Sequence, residues 1–407
     1  MRKISAEKTL LIWALAIVMG LLLFKLINRD LPGMSVSLVF GTWWEEELEE
    51  NSLPKLINEF EAQNPGITVT LEKMSWDEIK MSLGETAAKP AENSGNAKNR
   101  INPDVFSIEP YDIHELENNS AGNVLPIIAF INPLFYNIDL LKAAGFDRPP
   151  KNQTEFLSYV QRLKETGVNG AGLAMKDPRS ISSQFLSWIW AAADNPESAG
   201  SFNFNSKTVI ETLSFLNKLY QNLYTNPLNL SEAELLEAFR NKQVGMMIGS
   251  IAAVQKLKST DINFGITTIP SPESYTKKPV FALSYWYAGI NSRCTNQEAA
   301  QKFLAFLKEK GETIAAAAYA IPGSGSRSLE LTKSDPYYAK AFDMFEAGDT
   351  TREIYRSSNP GDLNNVIRRE AELLFKGIKT PEQCVETIQQ NWTKLAEENP
   401  ASSTNGT

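Results

Sequence analysis

The sequence predicts an α/β fold built on largely parallel sheets, and three observations carry that prediction. Short apolar, β-branched runs alternate with amphipathic helical segments along most of the chain, the order that lays helices on both faces of a parallel sheet. Hydrophobic residues make up 43% and charged residues 22%, an ordinary globular composition that excludes a disordered or collagen-like chain. Finally, 407 residues suffice for two or three domains, each with its own core.

Residues 1–33 stand apart from that pattern. Arg2, Lys3 and Lys8 precede an apolar stretch over 10–24, and Lys25 follows it, the order of a secretory signal. At the helical rise the stretch gives roughly 22 Å, short for a full membrane span. Asn28-Arg29-Asp30-Leu31-Pro32 comes next, with no small-x-small cleavage site in it and no Cys directly after the apolar stretch. Two readings fit: a signal cut at a poor site, or an uncleaved N-terminal helix that anchors the protein with its amino end in the cytoplasm. We expect the anchor. Either way the chain from Met34 onward lies outside the cytoplasm, in the periplasm.

The first strand, 36–40, ends in Gly41-Thr42-Trp43-Trp44. A helical pattern follows from Glu45, with Leu48, Leu53, Leu56, Ile57 and Phe60 on spaced faces and an acidic start suited to a helix dipole. Asn64-Pro65-Gly66 stops it, and 67–73 alternates as a second strand. Ser75-Trp76-Asp77 leads into a helix over 79–88, a polar loop fills 89–102, and 104–108 is a third strand. In such sheets ligands sit beyond the carboxyl ends of strands. The first strand ends at Trp43 and Trp44, the second at Trp76, and the third at Glu109, Tyr111 and Asp112. Flat aromatic faces beside carboxylates suit a carbohydrate, whose C–H face needs an apolar platform and whose hydroxyls need strong acceptors. Core packing is the competing reading for each Trp, since Trp is highly buried on average.

Residues 130–137 read as a strand ending in Phe135-Tyr136-Asn137, and Asn152 opens a helix. The helical segment 183–193 carries Trp188 and Trp190; at i and i+2 they cannot share a face, so one is expected to look into a cleft. Amphipathic helices over 206–223 and 231–240 are followed by strands at 244–248, which runs into Gly249-Ser250, at 264–269 and at 283–290. The last contains Tyr285, Trp286 and Tyr287. Helices are expected at 298–308, 313–319, 336–346, 363–375 and 381–397, before a polar tail.

Composition also removes function classes. Lys plus Arg is 40 against 48 Asp plus Glu, a net charge of −8, which argues against a nucleic-acid partner. One His and two Cys leave zinc sites and His-activated nucleophiles short of groups, so no metal, cofactor or catalytic residue is expected. Cys294 and Cys384 stand far apart in sequence; a disulfide and two buried thiols both remain open.

The order of segments resembles the extracellular solute-binding proteins of ABC importers, in the sugar-binding cluster that includes the maltodextrin-binding protein. The resemblance covers 36–392 and is carried by Phe60-Glu61-Ala62-Gln63-Asn64-Pro65-Gly66, Pro103-Asp104-Val105, Leu134-Phe135-Tyr136-Asn137, Val244-Gly245-Met246-Met247 and Ala288-Gly289-Ile290-Asn291. It implies a two-lobed periplasmic-binding-protein fold with the ligand cleft between the lobes. The N-lobe would take 34–128 plus 280–318, the C-lobe 129–279 plus 319–398, and a tail 399–407. It further implies that Trp43, Trp44, Glu109, Tyr111 and Asp112 line the N-lobe side, that Tyr136 lies near the first crossing and that Tyr285 and Trp286 lie at the return. Trp188 and Ser250 would come from the C-lobe, and Arg327 from the third crossing. The expected role is capture of a mono- or oligosaccharide by a monomer that closes on a hinge and delivers to permease subunits in the inner membrane. Three features depart from the family: a short stretch between Val105 and Tyr136, Ile251-Ala252-Ala253 where many sugar binders carry an aromatic, and no lipid-acceptor Cys. Two other classes compete: an exported carbohydrate hydrolase using Glu109 and Asp112, and a membrane-tethered scaffold or adhesin that has lost its ligand.

Overall fold

The structure, a computed structural model, describes residues 35–44, 48, 50–83, 102–108, 124–178, 180–193, 202–327, 329–351 and 360–397. The expected anchor, the loop at 89–102 apart from its last residue, and the tail therefore lie outside the described residues. Among the described residues no helix is long and apolar enough to cross a membrane.

The chain opens with β1 (Val36–Thr42), α1 (Ser52–Gln63), β2 (Ile67–Lys73), α2 (Trp76–Leu83), β3 (Val105–Ile108) and β4 (Val124–Phe130). It then passes into β5 (Leu134–Asn137), α3 (Ile138–Ala143), α4 (Gln153–Glu165), β6 (Asn169–Gly172), α5 (Ser180–Ser183), α6 (Phe185–Trp190) and α7 (Lys207–Tyr220). Next come α8 (Glu232–Arg240), β7 (Val244–Ile248), α9 (Ala253–Lys258), β8 (Phe264–Thr267), β9 (Val280–Ala282) and β10 (Ser284–Ile290). The remainder is α10 (Gln297–Glu309), α11 (Gly311–Ala318), β11 (Ile321–Pro322), α12 (Leu329–Ser334), α13 (Pro336–Ala347), β12 (Asp349–Thr351), α14 (Pro360–Phe375) and α15 (Pro381–Glu397).

The strands form a six-stranded sheet, β11-β4-β10-β3-β1-β2, and a four-stranded sheet, β6-β7-β5-β8, with β9 and β12 as a separate parallel pair. These are the centres of two lobes. Neither sheet is as uniformly parallel as expected. β10 runs antiparallel to β3 and β4, and β5 runs antiparallel to β7 and β8. The reason is the path of the chain. Strands joined by helices point their carboxyl ends at one edge of a sheet. β5 arrives from the first lobe and β10 from the second, each entering its new sheet at that edge, so each runs against its neighbours.

In the N-lobe, Leu38, Phe40, Phe60, Phe303 and Phe306 join β1, α1 and α10 in one cluster, with Phe303 edge-on to both Phe40 and Phe60. α2 covers the other face through Ile79 and Leu83 against Phe106, Ile108 and Tyr287. In the C-lobe, α4, α6, α7, α14 and α15 bury a second cluster. Cys294 belongs to the first of these clusters and Cys384 to the large C-lobe cluster, and both are free thiols. Burial pushes them up to about 11 and about 12, so neither is a reactive thiolate at neutral pH.

Three sequence expectations change. The helix expected from Glu45 begins at Ser52, because Asn51 is left-handed (φ 64°). Pro54 explains this: a helix begun at Glu45 would hold Pro54 in its interior, whereas a start at Ser52 puts it in the first turn, where a missing amide costs nothing. The strand expected at 130–137 is two strands in different sheets. The segment 183–193 is broken, with Ser180–Ser183 and Phe185–Trp190 meeting at Gln184. Strand pairing sets Phe130 against Ser284 and Pro322 against Ile128 in the N-lobe sheet.

Candidate functional site

The carboxyl edges of the two sheets are joined by residues 131–133, between β4 and β5. Four residue steps from Phe130 to Leu134 span at most roughly 14 Å, so the two edges stay close along this segment. The C-lobe edge is tied to it: Gly249 N donates to the Pro133 carbonyl at 3.3 Å and Ile251 N to that of Ile131 at 3.0 Å. Ser250, half-buried between them, follows β7, and its hydroxyl accepts from Ala252 N at 3.3 Å.

On the N-lobe side the end of β1 and the start of β10 bring four aromatic residues together. Trp44 stacks on Trp286, with ring centroids 5.5 Å apart and planes 15° from parallel, and Trp286 also meets Phe130 at 5.2 Å. Trp43 and Tyr285 are half-buried and pack against both the α1–α10 cluster and the α2 cluster. Tyr285 lies 5.5 Å from Tyr287, as the two-residue period of β10 requires, and Trp286 turns to the opposite face. Trp44 is 0% exposed and its indole Nε1 has no hydrogen-bond partner among the described residues, so the accessible aromatic surface at this edge belongs to Trp43, Tyr285 and Trp286, the last two on opposite faces of β10. Trp44 backs this group from the core.

The remaining expected residues separate from it. Trp188 and Trp190 are both buried, at 2% and 1%, which corrects the expectation that one faces the cleft. α6 is apolar or buried on every side, and Trp188 packs 5.1 Å from Phe156 and 4.9 Å from Phe215 inside the C-lobe. Tyr136 lies two residues into β5, over Gly265, where a Cβ would come within 2.4 Å of its ring. Burial, then Tyr337, raises its pKa. Arg327 follows β11 but is ion-paired to Asp343 at 2.5 Å and Glu346 at 2.9 Å and lies over the Phe342 ring; that engagement with α13 turns it away from a ligand role. Trp76 opens α2 right after β2. Glu109, Tyr111 and Asp112 lie outside the described residues.

Sequence reasoning missed one polar group. Glu232, the first residue of α8, accepts from Gln184 Nε2 at 3.2 Å and from the Ser183 hydroxyl. Desolvation raises its pKa more than those two hydrogen bonds lower it. The capping-box spacing of Ser231 and Glu234 marks the helix start in sequence, but nothing there tells that this start meets a sheet edge. Surface depressions elsewhere, one around Tyr220, Arg368 and Phe375 and one around Asn205 and Gln389, lie on the outer helices of the C-lobe.

Comparison with known proteins agrees with this architecture. The bacterial extracellular solute-binding protein family matches residues 45–314. A protein of Escherichia coli, described provisionally as an ABC transporter periplasmic-binding protein, is 26% identical over 321 residues, covering 71% of this chain and 72% of that one. An sn-glycerol-3-phosphate-binding periplasmic protein of Pectobacterium atrosepticum is 24% identical over 64% of this chain and 63% of its own length. Among solved structures, the cyclic α-maltosyl-1,6-maltose binding protein of Arthrobacter globiformis aligns with a TM-score of 0.68 at 16% identity, over 90% of this chain and 100% of that one. The acarbose-binding GacH receptor of Streptomyces glaucescens aligns at 0.67 and 16%, again over 90% of this chain and 100% of its own.

Proposed function

Given that the chain belongs to the bacterial extracellular solute-binding proteins, we propose that it is the capture component of an ABC importer and that its ligand is a carbohydrate, a mono- or oligosaccharide. The observation that carries the choice of ligand is the aromatic edge of Trp43, Tyr285 and Trp286 at the mouth of the N-lobe sheet. Such an edge fits the C–H face of a sugar ring, and stacked aromatics supply large contact area at small entropic cost. The maltose- and acarbose-type ligands named for the structural neighbours support the same class. Binding without turnover needs no nucleophile, in keeping with a chain that carries one His. The closed form would be handed to permease subunits of the inner membrane, with the protein held in the periplasm as a monomer through the apolar segment 10–24.

The test is titration of tryptophan fluorescence with maltose, maltotriose and acarbose, alongside chromatography of the sugars after incubation. Saturable quenching with unchanged sugars is expected. Released shorter products would replace this reading with a hydrolase. The burial of Trp44 favours a second reading, a two-lobed scaffold or adhesin without a ligand, and the absence of any fluorescence or thermal shift across the sugar panel would select it.

A further inference from the structure

Gln184 is 1% exposed, yet its amide is fully used. Its Oε1 accepts from Ala174 N at 3.4 Å, just beyond β6; its Nε2 donates to the Ile248 carbonyl at 3.1 Å, the last residue of β7, and to Glu232 Oε1 at 3.2 Å. A buried amide with these three contacts fixes the Glu232 carboxylate at the carboxyl edge of the C-lobe sheet. Ser183 donates to the same oxygen, with the Ser180 carbonyl at 3.1 Å as its alternative acceptor. Glu232 is exposed as a residue while its carboxylate sits among protein groups that desolvate it, and among the described residues its second oxygen takes no hydrogen bond. Asp177 adds a second negative charge nearby, while Lys176 is directed to Glu234 at 3.8 Å.

We propose that Glu232 is the ligand anchor of the C-lobe wall and that it selects a neutral or cationic polyhydroxylated ligand against a phosphorylated one. The inference rests on the carbohydrate reading above and narrows it. An ionised carboxylate is acceptor-only and forms its stronger hydrogen bonds with O–H and N–H donors. A phosphate offers it only acceptors and like charge, and Asp177 adds to the repulsion. Gln184 holds this carboxylate at the end of β7, the strand whose following turn is bonded to the crossing at 131–133; in the proposal the aromatic side chains of the N-lobe take the C–H surface of the sugar and Glu232 takes its hydroxyls.

The experiment is calorimetric titration of the full-length protein and of Glu232→Gln and Glu232→Ala with maltose, glucosamine and sn-glycerol 3-phosphate, with thermal unfolding as the check on folding. The wild type should bind at least one of the two sugars and show no saturation with sn-glycerol 3-phosphate. Both variants should lose about tenfold or more in sugar affinity at an unchanged unfolding midpoint, and Glu232→Gln should gain affinity for the phosphate. Sugar affinities within twofold of wild type in both variants overturn the anchor while leaving the carbohydrate reading intact. Wild-type binding of sn-glycerol 3-phosphate, or of neither sugar, overturns both.

Discussion

Trp44 and Trp286 share one stack but not one environment, and substitution separates them. Trp44 is enclosed by Phe40 and Trp286, so Trp44→Ala leaves a cavity and should cost about 3–5 kcal/mol in urea unfolding. Trp286 keeps an accessible edge, so Trp286→Ala should cost less stability but weaken maltose binding by about 5- to 30-fold, the loss of a 1–2 kcal/mol contact. Unchanged affinity in Trp286→Ala would remove the aromatic platform from the site. The sequence marked both Trp as strand-end residues, because a run such as 36–42 and its following turn are readable from β-branching and Gly41. It did not tell which one turns inward. That depends on the register of β10 beside β4, with its irregularity between Trp286 and Tyr287, and cross-strand register is a tertiary property. Trp188 was misplaced for a related reason: helical spacing separates two faces but does not say whether both are covered.

At the junction of α9, α11 and α13, Asp335 ties three elements together. It caps α13 through Tyr337 N at 2.9 Å and Tyr338 N at 3.1 Å, accepts from the Tyr319 hydroxyl at 2.7 Å, and pairs with Lys258 of α9. Tyr319 ends α11 in a left-handed conformation, φ 54° and ψ 51°, a geometry that costs a non-glycine residue about 1–2 kcal/mol; the hydroxyl bond to Asp335 helps hold it. Desolvation pushes the Asp335 carboxyl up, but the Lys258, Tyr319 and Tyr338 hydrogen bonds outweigh it and leave the pKa lowered. The sign follows: stability from this group is complete above the ordinary Asp value of about 3.9 and is lost as pH falls through the lowered one. Asp335→Asn, which keeps the cap, should therefore lower the melting temperature at pH 7 and flatten its fall below about pH 4 relative to wild type. Parallel melting curves down to pH 2 would show that the carboxylate carries no such linkage. Tyr319→Phe, which removes one hydrogen bond, should cost about 1 kcal/mol. Elements of this kind were readable where periodicity and caps agree, as in Asn152 before α4 and Asp335-Pro336 before α13. They were missed where composition conceals them: β6 is Asn-Gly-Ala-Gly and owes its place to pairing with β7, which outweighs poor strand propensity.

Two sheets whose carboxyl edges face one cleft, joined by a segment of three residues, are a hinge geometry. The chain crosses between the lobes at 131–133, again where β9 leads into β10, and a third time beyond β11. Short crossings of this kind absorb rotation while each lobe moves as a packed body. Two-lobed architecture could be inferred from segment order before any coordinates, because helix-strand alternation survives at low identity. The aromatic grouping at the N-lobe edge could not, since it depends on contacts such as that of Phe130 with Trp286, which are distant in sequence. If a sugar bridges the N-lobe aromatic edge and Glu232, its binding energy is available only when both walls reach it, so closure and affinity are coupled. Ligand binding to the folded state alone then adds about 2.7 kcal/mol of stability at a hundredfold excess over Kd. Solution scattering of the saturated protein should show a smaller radius of gyration than the free protein, and Glu232→Ala with sugar should remain at the free value at the same sugar concentration. Equal radii for free and saturated wild type, with binding confirmed by calorimetry, would mean that the sugar is held by one lobe and that the crossings do not work as a hinge.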